Sequence, residues 1–282
     1  MELTREHYDQ LVKQALAEDL GCGDATTAAL IADSAQGSAT IRAKADGVLA
    51  GIDIARSVFL EVDPGLKVEI ILKDGALLKV DNAIARISGK VASILKAERT
   101  VLNFLQHLSG IATETARYVK AVQGLPARIV DTRKTIPGLR MLEKYAVSVG
   151  GGQNHRMHLG DAILIKDNHL KLLHRQGLSL TDIIAKAREN NEACLKIEVE
   201  VKSPEEAIEA AAAGADIIML DNMDISEMHR AVNLIGGRST IEASGGITLD
   251  NVRAIAETGV AIISVGALTH SARALDINMK LD

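Results

Sequence analysis

Residues 162–223 read AILIKDNHLKLLHRQGLSLTDIIAKARENNEACLKIEVEVKSPEEAIEAAAAGADIIMLDNM. Three short, mostly apolar runs, AILI, KIEVEV and DIIML, are separated by stretches with helical spacing of apolar residues. The same rhythm extends outward over about 129–268: RIVDT then LRMLEKYAVSV upstream, STIEAS then LDNVRAIAET and AIISV then ALTHSARALD downstream. Near-continuous apolar strands suit a sheet covered on both faces, and repeated strand–helix units predict a parallel sheet, open or closed into a barrel. A barrel is favoured because polar residues recur at the end of every strand, whereas an open sheet concentrates them at one switch point.

Those strand ends have a chemistry. In DTRKTIPGLRMLEKYAVSVGGGQNHRMHLGDAILIKDNH, residues 131–169, Arg133 and Lys134 follow one strand and Lys166 the next, with His155 and Arg156 after a glycine triplet. From Arg128 to Arg175 nine Lys/Arg face four Asp/Glu, in a chain whose net charge is −5. Positive charge concentrated against an acidic background focuses field into a mouth suited to a small, highly anionic ligand. Arg140, Lys144, Lys171 and Arg175 read instead as a solvated helix face.

Other strand ends add to this mouth. Glu198 and Glu200 alternate in IEVEV and share a face. Glu200 with Asp221, at the end of the next strand, suits Mg²⁺ held by few carboxylates, waters and substrate phosphates, or a structural ion pair. Glu198 reads as a structural pair with the site's Lys or Arg. Ser244-Gly245-Gly246 and Val265-Gly266-Ala267 place glycine after the last two strands, where backbone N–H groups can cradle a phosphate. His155 and His158 lack a third metal ligand at suitable spacing, and His155 reads as an anion binder.

The remainder sets bounds. Among 282 residues, 47% are hydrophobic and 2% aromatic, with no Trp, so the core is aliphatic and no stacking platform for nucleic acid is expected. The start shows no basic-then-apolar signal and no apolar run approaches ~20 residues, so a cytoplasmic protein without membrane contact is expected. Cys22 and Cys194, far apart, read as free buried thiols in a reducing compartment. Residues 1–20 look helical, 37–92 carry short β-like runs with turns, and a long helix spans about 93–122, so the N-terminal part reads as mixed α+β.

At this point the chain strongly resembles the quinolinate phosphoribosyltransferase family. The resemblance runs through ALAEDLGCGDATT, RAKADGVLAGI, ILKAERTVLNFLQHLSGIAT, the 131–169 segment, IEVEV, GADIIMLDNM, IEASGGI and SVGALTHSA. It implies an α/β protein with an N-terminal α+β domain at 1–110 and an incomplete, TIM-like α/β barrel at 111–269, a C-terminal helix at about 270–282 packing back on the first domain. It implies transfer from phosphoribosyl pyrophosphate to quinolinate with decarboxylation, giving nicotinate mononucleotide, pyrophosphate and CO₂ in NAD biosynthesis, with Mg²⁺. Arg133, His155, Arg156 and Lys166, with Thr132, resemble the quinolinate clamp. Lys134 resembles a group near the ribosyl donor or substrate carboxylate. Glu200 and Asp221 resemble the residues facing ribose hydroxyls and Mg²⁺, directly or through water. Ser244, Gly245, Gly246, Val265, Gly266 and Ala267 resemble the 5′-phosphate cradle, with His270 nearby. Arg99 resembles an arginine donated across a homodimer, and a hexamer is the larger assembly considered. A related family associated with molybdenum transport and a non-catalytic metabolite sensor are the alternatives.

Overall fold

A computed structural model describes residues 3–282, which divide into two compact units. The first takes the chain through Ala116, Ile136–Gly151 and Ser271–Asp282; the second takes Arg117–Thr135 and Gly152–His270.

In the first unit the strands are β1 (Gln36–Ala43), β2 (Gly47–Val48), β3 (Lys67–Ile70), β4 (Leu77–Leu78) and β5 (Ala83–Lys90). Residues 267–270 form one helical turn, and the expected C-terminal helix is replaced by a strand, Ile277–Leu281. This strand completes an antiparallel sheet by pairing with β1 from Ala39↔Leu281 to Ala43↔Ile277. The reason is the two-residue period of INMKL: Ile277 and Met279 are buried while Lys280 is exposed, a pattern with no helical stripe. The segment therefore packs in the first unit, but as a strand. Residues 136–151, assigned from sequence to the barrel domain, also cluster in the first unit. Their helix, Arg140–Val149, buries Glu143, which accepts from His107 Nε2 (2.9 Å) and the Ile136 N–H (3.2 Å). Lys144 on that helix is buried, not solvated. Gly150 is required there, since a Cβ would strike the Ala112 carbonyl.

The helix Ile52–Val62 starts at Gly51, whose φ of +97° disfavours any L side chain. Asp74 caps it, accepting from the Gly51 and Ile52 N–H groups at 2.8 and 3.0 Å and from the Tyr145 hydroxyl at 2.7 Å.

The second unit holds β6 (Arg128–Val130), β7 (Ile163–Ile165), β8 (Ile197–Val201), β9 (Ile217–Asp221), β10 (Thr240–Ser244) and β11 (Ile262–Ser264); the C-terminal strand Ile277–Leu281 is β12. All pairings among β6–β11 are parallel, in the order β6-β11-β10-β9-β8-β7. From β7 to β11 each strand lies beside its predecessor, and β11 returns to β6. β6 and β7 are the two edges and do not pair with each other among the described residues, an arrangement consistent with an incomplete barrel open between β6 and β7. Helices follow in register: Leu180–Glu189, Pro204–Ala212, Ile225–Ile235 and Val252–Glu257. Ser179, Ser203 and Asp224 cap the first three by accepting the N–H three residues on. Ile197, Val199, Ile218, Leu220, Ala243 and Ile263 are wholly buried, each larger side chain contributing about 1.5–3 kcal/mol.

Candidate active site

Parallel strands closing toward a barrel bring their C-terminal ends to one mouth, and the second unit has a cavity of about 490 Å³ there. Its lining includes Thr132, Arg133, Lys134, His155, Arg156, Lys166, Glu200, Asp221, Ser244, Gly245 and Gly246. The strand-end residues singled out in the sequence are thus gathered from β6, β7, β8, β9 and β10.

The cations are partly buried. Arg133 Nε is shielded from solvent and has no hydrogen-bond partner among the described residues. Burial and then the like charge of Arg133 lower the pKa of Arg156. Two guanidiniums held together, one with an unmet donor, make a preformed anion site. Lys134 and Lys166 are exposed at its edge.

Beneath lie acids. Asp131, fully buried, accepts from the Asn154 side chain (2.6 Å) and the His155 N–H (2.9 Å). His155 Nε2 lies 3.3 Å from Glu198 and 3.5 Å from Glu242, both buried. Burial alone would lower the His155 pKa; the adjoining Glu198 and Glu242 carboxylates outweigh it and pull the value upward. A second ring proton would sit on Nδ1, which already accepts the Arg156 N–H at 2.8 Å. In this conformation the ring therefore carries its proton on Nε2, and charging it requires that peptide to turn away. Both ring nitrogens face protein groups, so His155 offers the cavity no free nitrogen in this conformation. Glu198 pairs with a histidine, where a Lys or Arg was expected; burial, opposed by that bond, raises its pKa.

Burial likewise raises the Glu200 pKa, opposed first by Lys166; Glu200 also accepts the Asp167 N–H at 3.3 Å. Asp221 acts on Glu200 through space. The pair supplies hard oxygen donors without a soft ligand, the donor set that suits Mg²⁺ alongside phosphates and water.

At the β10 end, Gly245 and Gly246 have φ of +87° and +62°. A Cβ on Gly245 would overlap the Asn222 side chain, which donates to Asp221 Oδ1 at 2.9 Å. At the β11 end, a Cβ on Gly266 would come 3.1 Å from His270 Nε2 and 3.2 Å from Lys134 Cδ. The Thr269 hydroxyl donates to the Lys134 carbonyl at 2.8 Å. The Val265–Ala267 loop is thus packed beside Lys134 and His270, with Val265 buried and His270 exposed.

Comparison with known proteins fits this geometry. The pattern described as "Quinolinate phosphoribosyl transferase, C-terminal domain" matches residues 111–280, and its N-terminal counterpart matches 24–109. The chain belongs to the quinolinate phosphoribosyltransferase family. It is 43% identical, over 98% of its length and 83% of the relative's, to "Quinolinate phosphoribosyltransferase [decarboxylating] 2b, mitochondrial" of Nicotiana tabacum. It is 42% identical to a probable nicotinate-nucleotide pyrophosphorylase [carboxylating] of Synechocystis, over 97% and 92% of the two chains. The crystal structure of NadC from Streptococcus pyogenes superposes with a TM-score of 0.95 at 44% identity, covering 100% and 99% of the chains. These names do not favour the molybdenum-transport alternative. Within the quinolinate phosphoribosyltransferase family reading, Arg99 belongs to the first unit, exposed on the helix Val91–Ala121.

Sequence reasoning passed over four residues. Asp131, Asn154 and Asn222 were read only as neighbours of the cations and carboxylates they position. Glu242 had a visible signal: like Glu198, it is an acid in the middle of an apolar strand. Cys22 and Cys194 are both exposed, contrary to expectation. Cys22 lies in the turn after the first α-helix, and Cys194 adopts a φ of +52° in a turn closed by its own N–H to Asn191. The metal-compatible cluster among the described residues is His155, Glu198 and Glu242; His158 is not part of it.

Proposed function

We propose that this protein transfers the phosphoribosyl group of phosphoribosyl pyrophosphate to the ring nitrogen of quinolinate and releases the 2-carboxylate as CO₂, giving nicotinate mononucleotide and pyrophosphate. The observation that carries this reading is the unmet, buried Nε of Arg133 beside Arg156 in a cavity that also holds the Glu200 and Asp221 carboxylates and the Gly245-Gly246 loop.

Arg133, Arg156 and Lys166 take the two adjacent carboxylates, the guanidiniums offering bidentate forks. Arg99 of a second copy completes the clamp, so the working unit is a homodimer with shared sites. The glycine loops after β10 and β11 hold the 5′-phosphate through backbone N–H groups. As the bond from C1′ to pyrophosphate breaks, positive charge grows on the ribose, and Glu200 and Asp221 face it. Lys134 lies near the donor. Glu200 and Asp221 would also hold Mg²⁺, which when bound offsets the charge of the leaving pyrophosphate. Once the ring nitrogen is ribosylated, the cationic ring accepts the electron pair left at C2 when CO₂ departs, and C2 takes up a proton. No covalent intermediate on the protein is needed. The two unpaired cysteines suit a reducing compartment such as the cytoplasm, and no helix among the described residues is long and apolar enough to cross a membrane.

Purified protein with quinolinate, phosphoribosyl pyrophosphate and Mg²⁺ should yield nicotinate mononucleotide and CO₂ in equal amounts. Quinolinate binding without turnover would favour a sensor; absence of both refutes the reading.

A further inference from the structure

The buried carboxylates of Glu198 and Glu242 have no role in the scheme above, and the fold does not ask for them. Their neighbours on β8 and β10 are Ile197, Val199, Ile241 and Ala243, and an aliphatic residue at either position avoids the cost of burying a charge. That cost is not offset by a full set of hydrogen bonds. Glu198 Oε1 and both oxygens of Glu242 have no hydrogen-bond partner among the described residues.

What the two acids share is His155. Its Nε2 faces both, its Nδ1 accepts the Arg156 N–H, and its own N–H is held by Asp131. The tripeptide Asn154-His155-Arg156 is therefore gripped from below by three buried carboxylates. Arg156, at its end, extends into the cavity, its Nη1 also donating to the Ala162 carbonyl at 3.3 Å. A metal ion within the cluster is a poor competitor. It would need the Nε2 lone pair, moving the ring proton to Nδ1 and against the Arg156 N–H.

We propose that Glu242 is a positioning residue for the substrate dicarboxylate: with Glu198 it holds the His155 ring, and through the His155–Arg156 peptide it fixes the guanidinium that meets quinolinate. This rests on the activity proposed above. Glu242 also borders the floor of the cavity, and in this proposal its effect travels through His155 to one substrate's binding.

The test uses full-length wild type, Glu242→Gln, His155→Asn and the double variant. Quinolinate affinity is read by calorimetry, and KM for each substrate and kcat by steady-state assay. Glu242→Gln keeps the shape but replaces the carboxyl group facing His155 with an amide. It should weaken quinolinate binding and raise its KM roughly tenfold, the scale of one close contact to a charged group. The KM for phosphoribosyl pyrophosphate should stay within about twofold. In the His155→Asn background the same change should add little, because the intermediary is gone. Should Glu242→Gln fail to fold, Glu198→Gln is read identically. Unchanged quinolinate affinity in a folded variant overturns the proposal, even if its melting temperature falls. Full additivity with His155→Asn also overturns it. Stoichiometric Zn²⁺ bound by wild type and lost in Glu242→Gln would do so as well, since the cluster would then be a metal site. A wild type without turnover would refute the activity itself, a result separable from all of these.

Discussion

Gly245→Ala tests how the glycine loop after β10 is coupled to the carboxylates after β9. Two costs are separable. Gly245 has a φ of +87°, which an L residue adopts at roughly 1–2 kcal/mol. The new Cβ would also fall 2.6 Å from Asn222 Nδ2, so Asn222 must move. That movement breaks its 2.9 Å bond to Asp221, worth about 0.5–1.5 kcal/mol, and frees Asp221 from its set position. Gly246→Ala provides the control: at φ +62° it carries backbone strain, but its Cβ would meet Asn222 only at 3.9 Å. Both variants should lose stability in urea denaturation, Gly245→Ala by about 1 kcal/mol more. Gly245→Ala should also lose at least roughly tenfold in kcat/KM for phosphoribosyl pyrophosphate, while quinolinate affinity stays near wild type. Removing the obstacle with Asn222→Ala should erase the excess of Gly245→Ala over Gly246→Ala. Equal stability and equal kcat/KM for the two alanine variants would refute the coupling through Asn222.

Three further outcomes follow, the first from the proposed shared dimer site and the others from the geometry above. Arg99→Ala and Lys166→Ala should each be nearly inactive, and mixed dimers should recover activity because one of their two sites holds both wild-type residues; verified mixed dimers without recovery would rule out an Arg99 acting in trans. Chelating divalent cations should stop turnover yet leave quinolinate binding measurable by calorimetry, since the proposed clamp for the dicarboxylate is Arg133 and Arg156; binding lost with the metal would move the substrate onto Glu200 and Asp221. Burial raises the Asp74 pKa, opposed by its bonds to Ile52, Tyr145 and Gly51, so the folded protein holds that proton more tightly than the unfolded chain. Its contribution to stability is then fullest below about pH 4 and is lost as pH rises through the folded value. Asp74→Asn should become relatively more stable, compared with wild type, between pH 4 and pH 7 in parallel denaturation curves; parallel pH profiles would refute it.

The barrel unit was legible because both of its signals are local. Strand–helix alternation follows from burial on two sheet faces, and Lys166 stands directly after its strand while Asp221 and Ser244 end theirs. What spacing could not convey was closure. The open seam between β6 and β7 depends on how six strands curve together, which no window of sequence contains. Glu242 escaped because its partner, His155, is 87 positions away in sequence and the pair is recognised only in space. The terminal strand was misread as a helix because five residues of alternating INMKL are too few to outweigh the helical pattern before them, and β1, the strand they need, lies at the other end of the chain. The cysteines were misassigned on residue type alone, where neighbouring turns set their exposure.

The pairing of β12 with β1 has a consequence for how the protein is made. Hydrogen bonds such as that from the Ser38 hydroxyl to Asp282 join residues 244 positions apart. At ribosomal speeds of ~5–20 residues per second, β1 emerges many seconds before the strand that covers its outer edge. For that interval its backbone N–H and C=O groups form an open template beside apolar residues such as Ile41, a surface that invites pairing with another nascent chain. A message truncated before residue 277 would therefore leave an adhesive sheet edge, and crowded polysomes are where its aggregation would first be seen.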